Sequence, residues 1–142
     1  MNQLYEATGE LGLNVVEHAG SPVGGSVAAQ RYKAGTPGEW IIVAVGDVGM
    51  GIRESLRDRY GVMTDDEAIR RAIEWYVSRV PDRGRGQGLP GVVDGVKDLG
   101  GTVSIRSGAA SLTITGRRER SSAVSRRQGT IVGARVPCRP GG

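Results

Sequence analysis

Apolar residues recur along this chain in two periods, one helical and one alternating or continuous, and the switches between them predict the order of elements. Residues 3 to 18 read as a helix. At about 100° per residue Leu4, Leu11 and Val15 fall in one narrow stripe, with Gln3, Glu6, Glu10, Asn14 and Glu17 on the opposite side. Gly20, Ser21 and Pro22 stop it. Val27 to Tyr32 and Glu39 to Val45 read as strands joined by the turn-rich stretch from Lys33 to Gly38. The run IIVAV has the continuous apolar character of a strand covered on both faces. Arg53 to Arg59 predicts a short helix. Asp65 to Val80 predicts a longer one, with Asp65 or Thr64 as N-cap and Ala68, Ile69, Ala72, Ile73, Tyr76 and Val77 at helical spacing; Pro81 ends it. A third helix spans Pro90 to Leu99, with proline in its first turn and Gly100-Gly101 at its end. VSIRS, SLTIT and TIVGARV then read as three strands. This order implies a two-layer α/β sandwich in which helices cover one face of a mixed sheet.

Composition narrows the setting. The chain has 142 residues, enough for one domain with a single core. It has one cysteine, Cys138, which has no second cysteine for an internal disulfide. No apolar run approaches the roughly 20 residues of a membrane span, and no charged-then-apolar leader opens the sequence. The expectation is a soluble, cytoplasmic protein. The net charge of +4 is concentrated in RRERSSAVSRR, Arg117 to Arg127, and in a tail containing Arg135 and Arg139. Residues 117–128 read as a basic, solvated hairpin loop and 138–142 as a flexible tail. A nucleic-acid surface would interleave bases with stacking aromatics. The chain has no Phe and no aromatic residue after Tyr76, so nucleic-acid binding ranks below other readings.

Three boxes carry candidate chemistry: ELGLNVVEHA at Glu10 to Ala19, VGDVGMGI at Val45 to Ile52, and RGRGQGLPGVVDGV at Arg83 to Val96. Glu10 and Asn14 lie one helical turn apart, so both point the same way and can share one magnesium-bound phosphate. The amide oxygen of Asn14 suits a hard cation. Asp47 sits just past the apolar strand, and a carboxylate accepts hydrogen bonds only. Adenine offers an amino donor at the matching edge where guanine offers a carbonyl, so an aspartate reader favours adenine. Gly49 and Gly51 let the backbone approach a base. Gly84, Gly86 and Gly88 can turn successive N–H groups toward phosphate oxygens at the start of the next helix. Gly86, Gly88 and Gly91 also match a dinucleotide fingerprint, but that motif follows a strand and these follow Pro81. No Walker loop is present. His18, the only histidine, reads as a packing or hydrogen-bonding residue at a helix end. Arg83 and Arg85 read equally as phosphate contacts and as solvent-facing residues.

In their order and spacing the boxes resemble the GHKL superfamily, the gyrase, histidine kinase and MutL ATPases. NVVEHAGSPVGGSVAAQRY is most similar to the small bacterial histidine-kinase-like ATP-binding proteins related to the anti-sigma serine kinases. The resemblance covers roughly residues 5 to 137. It implies the Bergerat form of the α/β sandwich, with Asn14 as magnesium ligand and Glu10 as the base that orients water or an acceptor hydroxyl. Asp47, Gly49, Gly51, Gly84, Gly86, Gly88 and Leu89 would line the ATP site, and Thr130, after Gly129, would help hold adenine. The family usually carries sequence ahead of the first box, whereas this chain begins almost at it. It also lacks a phosphoacceptor-histidine hairpin and the phenylalanine box of sensor kinases, so autophosphorylation is not expected.

The leading expectation is a magnesium-dependent ATP-binding domain in bacterial signalling, transferring phosphate to a partner protein or slowly hydrolysing ATP. The alternative is a non-catalytic, ATP-dependent switch or interaction module, with a lid from about Gly61 to Gly88 ordering over the phosphates.

Overall fold

A computed structural model describes residues 25–74 and 88–138. Strand β1 (Gly25–Tyr32) and strand β2 (Trp40–Asp47) form the expected hairpin. Helix α1 (Gly51–Tyr60), helix α2 (Asp65–Ala72) and helix α3 (Gly88–Asp98) follow, then strands β3 (Thr102–Thr115) and β4 (Arg118–Pro137). The sheet order is β1-β2-β4-β3, and all three described pairings are antiparallel. The helix expected over 3 to 18 lies outside the described residues.

Local chemistry explains the helix ends. Thr64, rather than Asp65, caps α2 in a reciprocal box: its hydroxyl accepts the Glu67 N–H at 3.1 Å, and the Glu67 carboxylate accepts the Thr64 N–H at 3.3 Å. The helix stops at Ala72, short of the predicted Val80, where the tighter bond from Glu74 N–H to the Arg71 carbonyl takes over. Residues 75 to 80 lie outside the described residues. Helix α3 closes on Gly100, at φ 73°, with Gly101 N–H on the Val96 carbonyl and Gly100 N–H on the Lys97 carbonyl, each at 2.9 Å. That is the Schellman pattern the Gly-Gly pair announced.

One face of the sheet carries the core. Val43 and Val45 of β2, Val103 and Ile105 of β3 and Val132, Ala134 and Val136 of β4 are buried against Ile52 and Leu56 of α1, Ala68 and Ile69 of α2, and Val92 and Val96 of α3. The alternate residues Ser104, Ile131 and Arg135 are exposed. Helices thus cover one face, as the pattern implied. The expectation that IIVAV is covered on both faces does not hold: Ile42 and Ala44 are only half-buried because they share the outward face with Arg135 and Gly133. No described helix is long and apolar enough to cross a membrane.

Two further expectations are corrected. VSIRS and SLTIT are parts of one strand, and the basic stretch from Arg118 is the first half of β4 instead of a loop. The pair is kinked midway. Ser107 pairs with Thr130, Gly108 with Arg127 and Ala110 with Ala123, so Gln128 and Gly129, and then the stretch Val124 to Arg126, bulge from β4. Gly108 takes φ 60° at the kink. Burial changes phase there, from Val103, Ile105 and Ser107 to Ala110, Leu112 and Ile114. Beyond the kink α2 covers the pair: Arg70 bonds Glu119 at 3.1 Å, and the Ser121 hydroxyl donates to Asp66 at 2.9 Å.

Candidate functional site

Asp47 is the last residue of β2, inside the strand rather than just past it, and shares its face with Val43 and Val45. Its Oδ1 accepts the Gly49 N–H at 2.8 Å, which turns the chain off the sheet. Oδ2 receives no hydrogen bond among the described residues. Gly51 opens α1 at φ 80°, and a Cβ there would stand 3.2 Å from the Ser107 hydroxyl. Gly129, at φ 83°, brings β4 against this corner so closely that a Cβ would lie 2.1 Å from the Asp47 carbonyl oxygen and 2.8 Å from Oδ1.

Ser107 joins the pieces. It is 1% exposed, accepts the Ile52 N–H of α1 at 3.0 Å, and stands 3.0 Å from the Thr130 hydroxyl, where either oxygen serves as donor. The first turn of a helix needs acceptors for its N–H groups, and Met50 supplies no side-chain cap; Ser107 takes that part from the sheet. Asp47, Gly49, Gly51 and Thr130, nominated from distant parts of the sequence, therefore meet in one corner. Ser107 was not nominated. Its only signal is a polar residue in the inward phase of an apolar strand, VSIRS.

The other nominated residues divide in two. Gly88 opens α3, and Leu89 is 8% exposed within the hydrophobic core, so its side chain acts as packing there. Glu10, Asn14, Gly84 and Gly86 lie outside the described residues, as do His18, Arg83 and Arg85. Among the described residues no group of three or more His, Cys, Asp or Glu side chains is arranged to hold a metal.

A second buried polar residue went unnoticed in the sequence. Glu39, 6% exposed, pairs with Arg31 across the hairpin and accepts the Gly35 N–H at 2.9 Å. The hydrogen bond from Arg31, then that from Gly35, holds its carboxyl down at about 2, and Arg31 is shifted upward by the same contact. Its two leading donors belong to the hairpin and a lesser one, the Cys138 thiol, to the end of the neighbouring strand, so Glu39 is read as structural.

No protein-family model matches this chain, and no curated protein matches it.

Proposed function

We propose that the chain is a magnesium-dependent ATP-binding domain of the histidine-kinase-like type, which transfers phosphate to a partner protein or slowly hydrolyses ATP. The observation that carries this reading is the meeting of Asp47 with Gly129 and Thr130 beside the start of α1. Two of the resemblance's adenine-binding elements, from opposite ends of the sequence, share one corner. Gly51 and Gly129 leave backbone there without side chains, and Asp47 keeps Oδ2 as an acceptor for the base amino group. Gly84, Gly86 and Gly88 would cradle the phosphates, and Asn14 would hold the magnesium ion, whose charge neutralises the phosphate oxygens. Glu10, one turn before Asn14, would orient the attacking oxygen and take its proton.

Calorimetry with ATP, ADP and GTP, with and without magnesium, tests the reading. ATP and ADP should bind and GTP should not. Asp47→Asn should weaken ATP binding by about 1.5 to 3 kcal/mol, the usual worth of a hydrogen bond to a charged group. Equal affinity for GTP, or an unchanged affinity in a folded Asp47→Asn protein, overturns it. Glu10→Gln should keep binding and lower turnover by about 10²- to 10⁴-fold. Binding without turnover in the parent chain, with any partner supplied, would make the protein a switch and not a kinase.

A further inference from the structure

The bulge of β4 does something a regular strand does not. Consecutive residues of a strand point to opposite faces, yet Arg126 and Arg127 both line one cavity of about 300 Å³. Its other walls are the start of α1, with Gly51 and Arg53, and the kink of β3, with Ser107 and Gly108. Arg106 pins the bulge by donating to the Ser125 carbonyl at 3.0 Å. The cavity is strongly cationic. Its one carboxylate, Asp65, is already engaged: it accepts the Ala109 N–H at 3.0 Å, pairs with Arg126 at 3.2 Å and lies against Gly108, where a Cβ would come within 2.4 Å. With Arg126 neutralised by Asp65, the charges of Arg53 and Arg127 remain.

Both of these arginines are half-buried and short of acceptors among the described residues. Arg127 donates one Nη2 bond to the Asp47 carbonyl at 3.4 Å, while its Nη1 is fully buried with no partner. Arg53 makes no hydrogen bond or ion pair among the described residues. A buried guanidinium nitrogen without an acceptor is costly, and native proteins leave such groups mainly where an ion or water completes them. The first turn of α1 adds backbone N–H groups and the positive end of its dipole, with the Ile52 N–H taken by Ser107.

We infer that this cavity is a binding site for a phosphate group, as the free dianion or as a small phosphomonoester, held by Arg127, Arg53 and the first turn of α1. Two unmatched positive charges suit a dianion, and the planar forks of two guanidiniums suit its tetrahedral oxygens. Gly51, Ser107 and Gly129 belong both to this cavity and to the corner that the nucleotide reading gives to adenine, so the two sites adjoin, while the phosphates of ATP are assigned there to the glycine loop ahead of α3.

The test titrates the whole chain with inorganic phosphate and, separately, with phosphoserine, followed by calorimetry and ³¹P line widths. Both ligands should bind at one site, and the tighter of the two identifies the source, free ion or ester. Arg127→Gln should weaken binding by about tenfold or more, as loss of a charged hydrogen bond does, and Arg53→Gln should weaken it in the same direction. Arg117→Gln, at the hairpin turn, should leave it unchanged. Thermal melts separate this from a structural role: phosphate should raise the melting temperature of the parent and leave that of Arg127→Gln unmoved. Should Arg127→Gln fail to fold, Arg53→Gln carries the same readout from the helix side. Absence of binding at millimolar phosphate, or equal binding by the Arg53→Gln and Arg117→Gln proteins, overturns the inference. Loss of phosphate binding under saturating magnesium-ATP also overturns it as a separate site, by assigning the cavity to the nucleotide.

Discussion

The two ends of β2 each carry a carboxylate, and their surroundings are opposite. At one end Glu39 is enclosed by Arg31 and the Gly35 N–H, and its backbone carbonyl accepts the Cys138 N–H at 2.9 Å. Aromatic packing closes that end: the Tyr32 and Trp40 rings stack with centroids 4.6 Å apart, and the Arg135 guanidinium lies 3.5 Å from the Trp40 centroid. At the other end Asp47 accepts one local N–H and is surrounded by glycines at positive φ and by a hydroxyl relay. A carboxylate that has spent its lone pairs on its own hairpin fastens the fold. One that retains an oxygen, where glycines let backbone approach, leaves an acceptor open at the end of the strand.

Four substitutions sharpen or break this contrast. The largest effect belongs to Gly129→Ala, which forces a Cβ into the Asp47 carbonyl at a backbone angle that L-residues resist. Strain and overpacking together should cost about 3 kcal/mol or more in urea denaturation. A loss below 1 kcal/mol, roughly the scale of an ordinary surface change, would show that the corner is loose. Ser107→Ala comes next. It strands the Ile52 N–H and the Thr130 hydroxyl, and should destabilise by about 1 to 3 kcal/mol. Under the nucleotide reading it should also weaken ATP binding less than Asp47→Asn does, because it acts only through Thr130. At the fastened end, Arg135→Gln removes the cation from the Trp40 face and should cost about 0.5 to 1 kcal/mol, with Trp fluorescence reporting the change.

The smallest effect is a slope. Because the Glu39 carboxyl is depressed to about 2 from the ordinary value near 4.5, its contribution is complete above the unfolded-state value and is lost as pH falls through that interval. Glu39→Gln should therefore flatten the fall of stability between about pH 4.5 and pH 2. Arg31 is 60% exposed, so solvent screens the pair and the change will be modest. Identical acid limbs in parent and variant would show that the pair does not hold in solution.

The sequence disclosed most where one rule acted alone. The Pro-Gly punctuation of α3, the apolar phase of α2 and the strand-to-glycine junction at Asp47 each depend on neighbours a few residues away, and the structure keeps all three. It misled where tertiary context outweighed composition. Ser107 to Ser111 looks like a turn because it is small and glycine-containing, yet the chain runs on through a bulge that only its partner strand could announce. Arg117 to Arg127 looks like a loop because it is charged. It is strand because its inward residues, Glu119, Ser121 and Ala123, suit the polar flank and small side chains of α2, while Arg118 and Arg120 face out and leave the pair uninviting to further strands. Ser107 and Glu39 were silent for a related reason: a buried polar residue is recognisable only once its partners, 55 and 8 residues away, are known. The ends of Asp47's corner were legible; the joint between them was not.

The kink between β3 and β4 also fixes how this chain can change length. Crossing it, both strands exchange their inward and outward sides, so the number of residues spent there decides which side chains of the distal hairpin meet α2. Adding or removing two residues between Val124 and Gln128 would keep Ser121 and Glu119 turned toward the helix. Adding or removing one would roll the hairpin over, turning Arg118 and Arg120 toward α2 and carrying Leu112 and Ile114 to the outward face. Length variation in this segment should accordingly survive in even steps, a parity rule written into the backbone whatever residues occupy it.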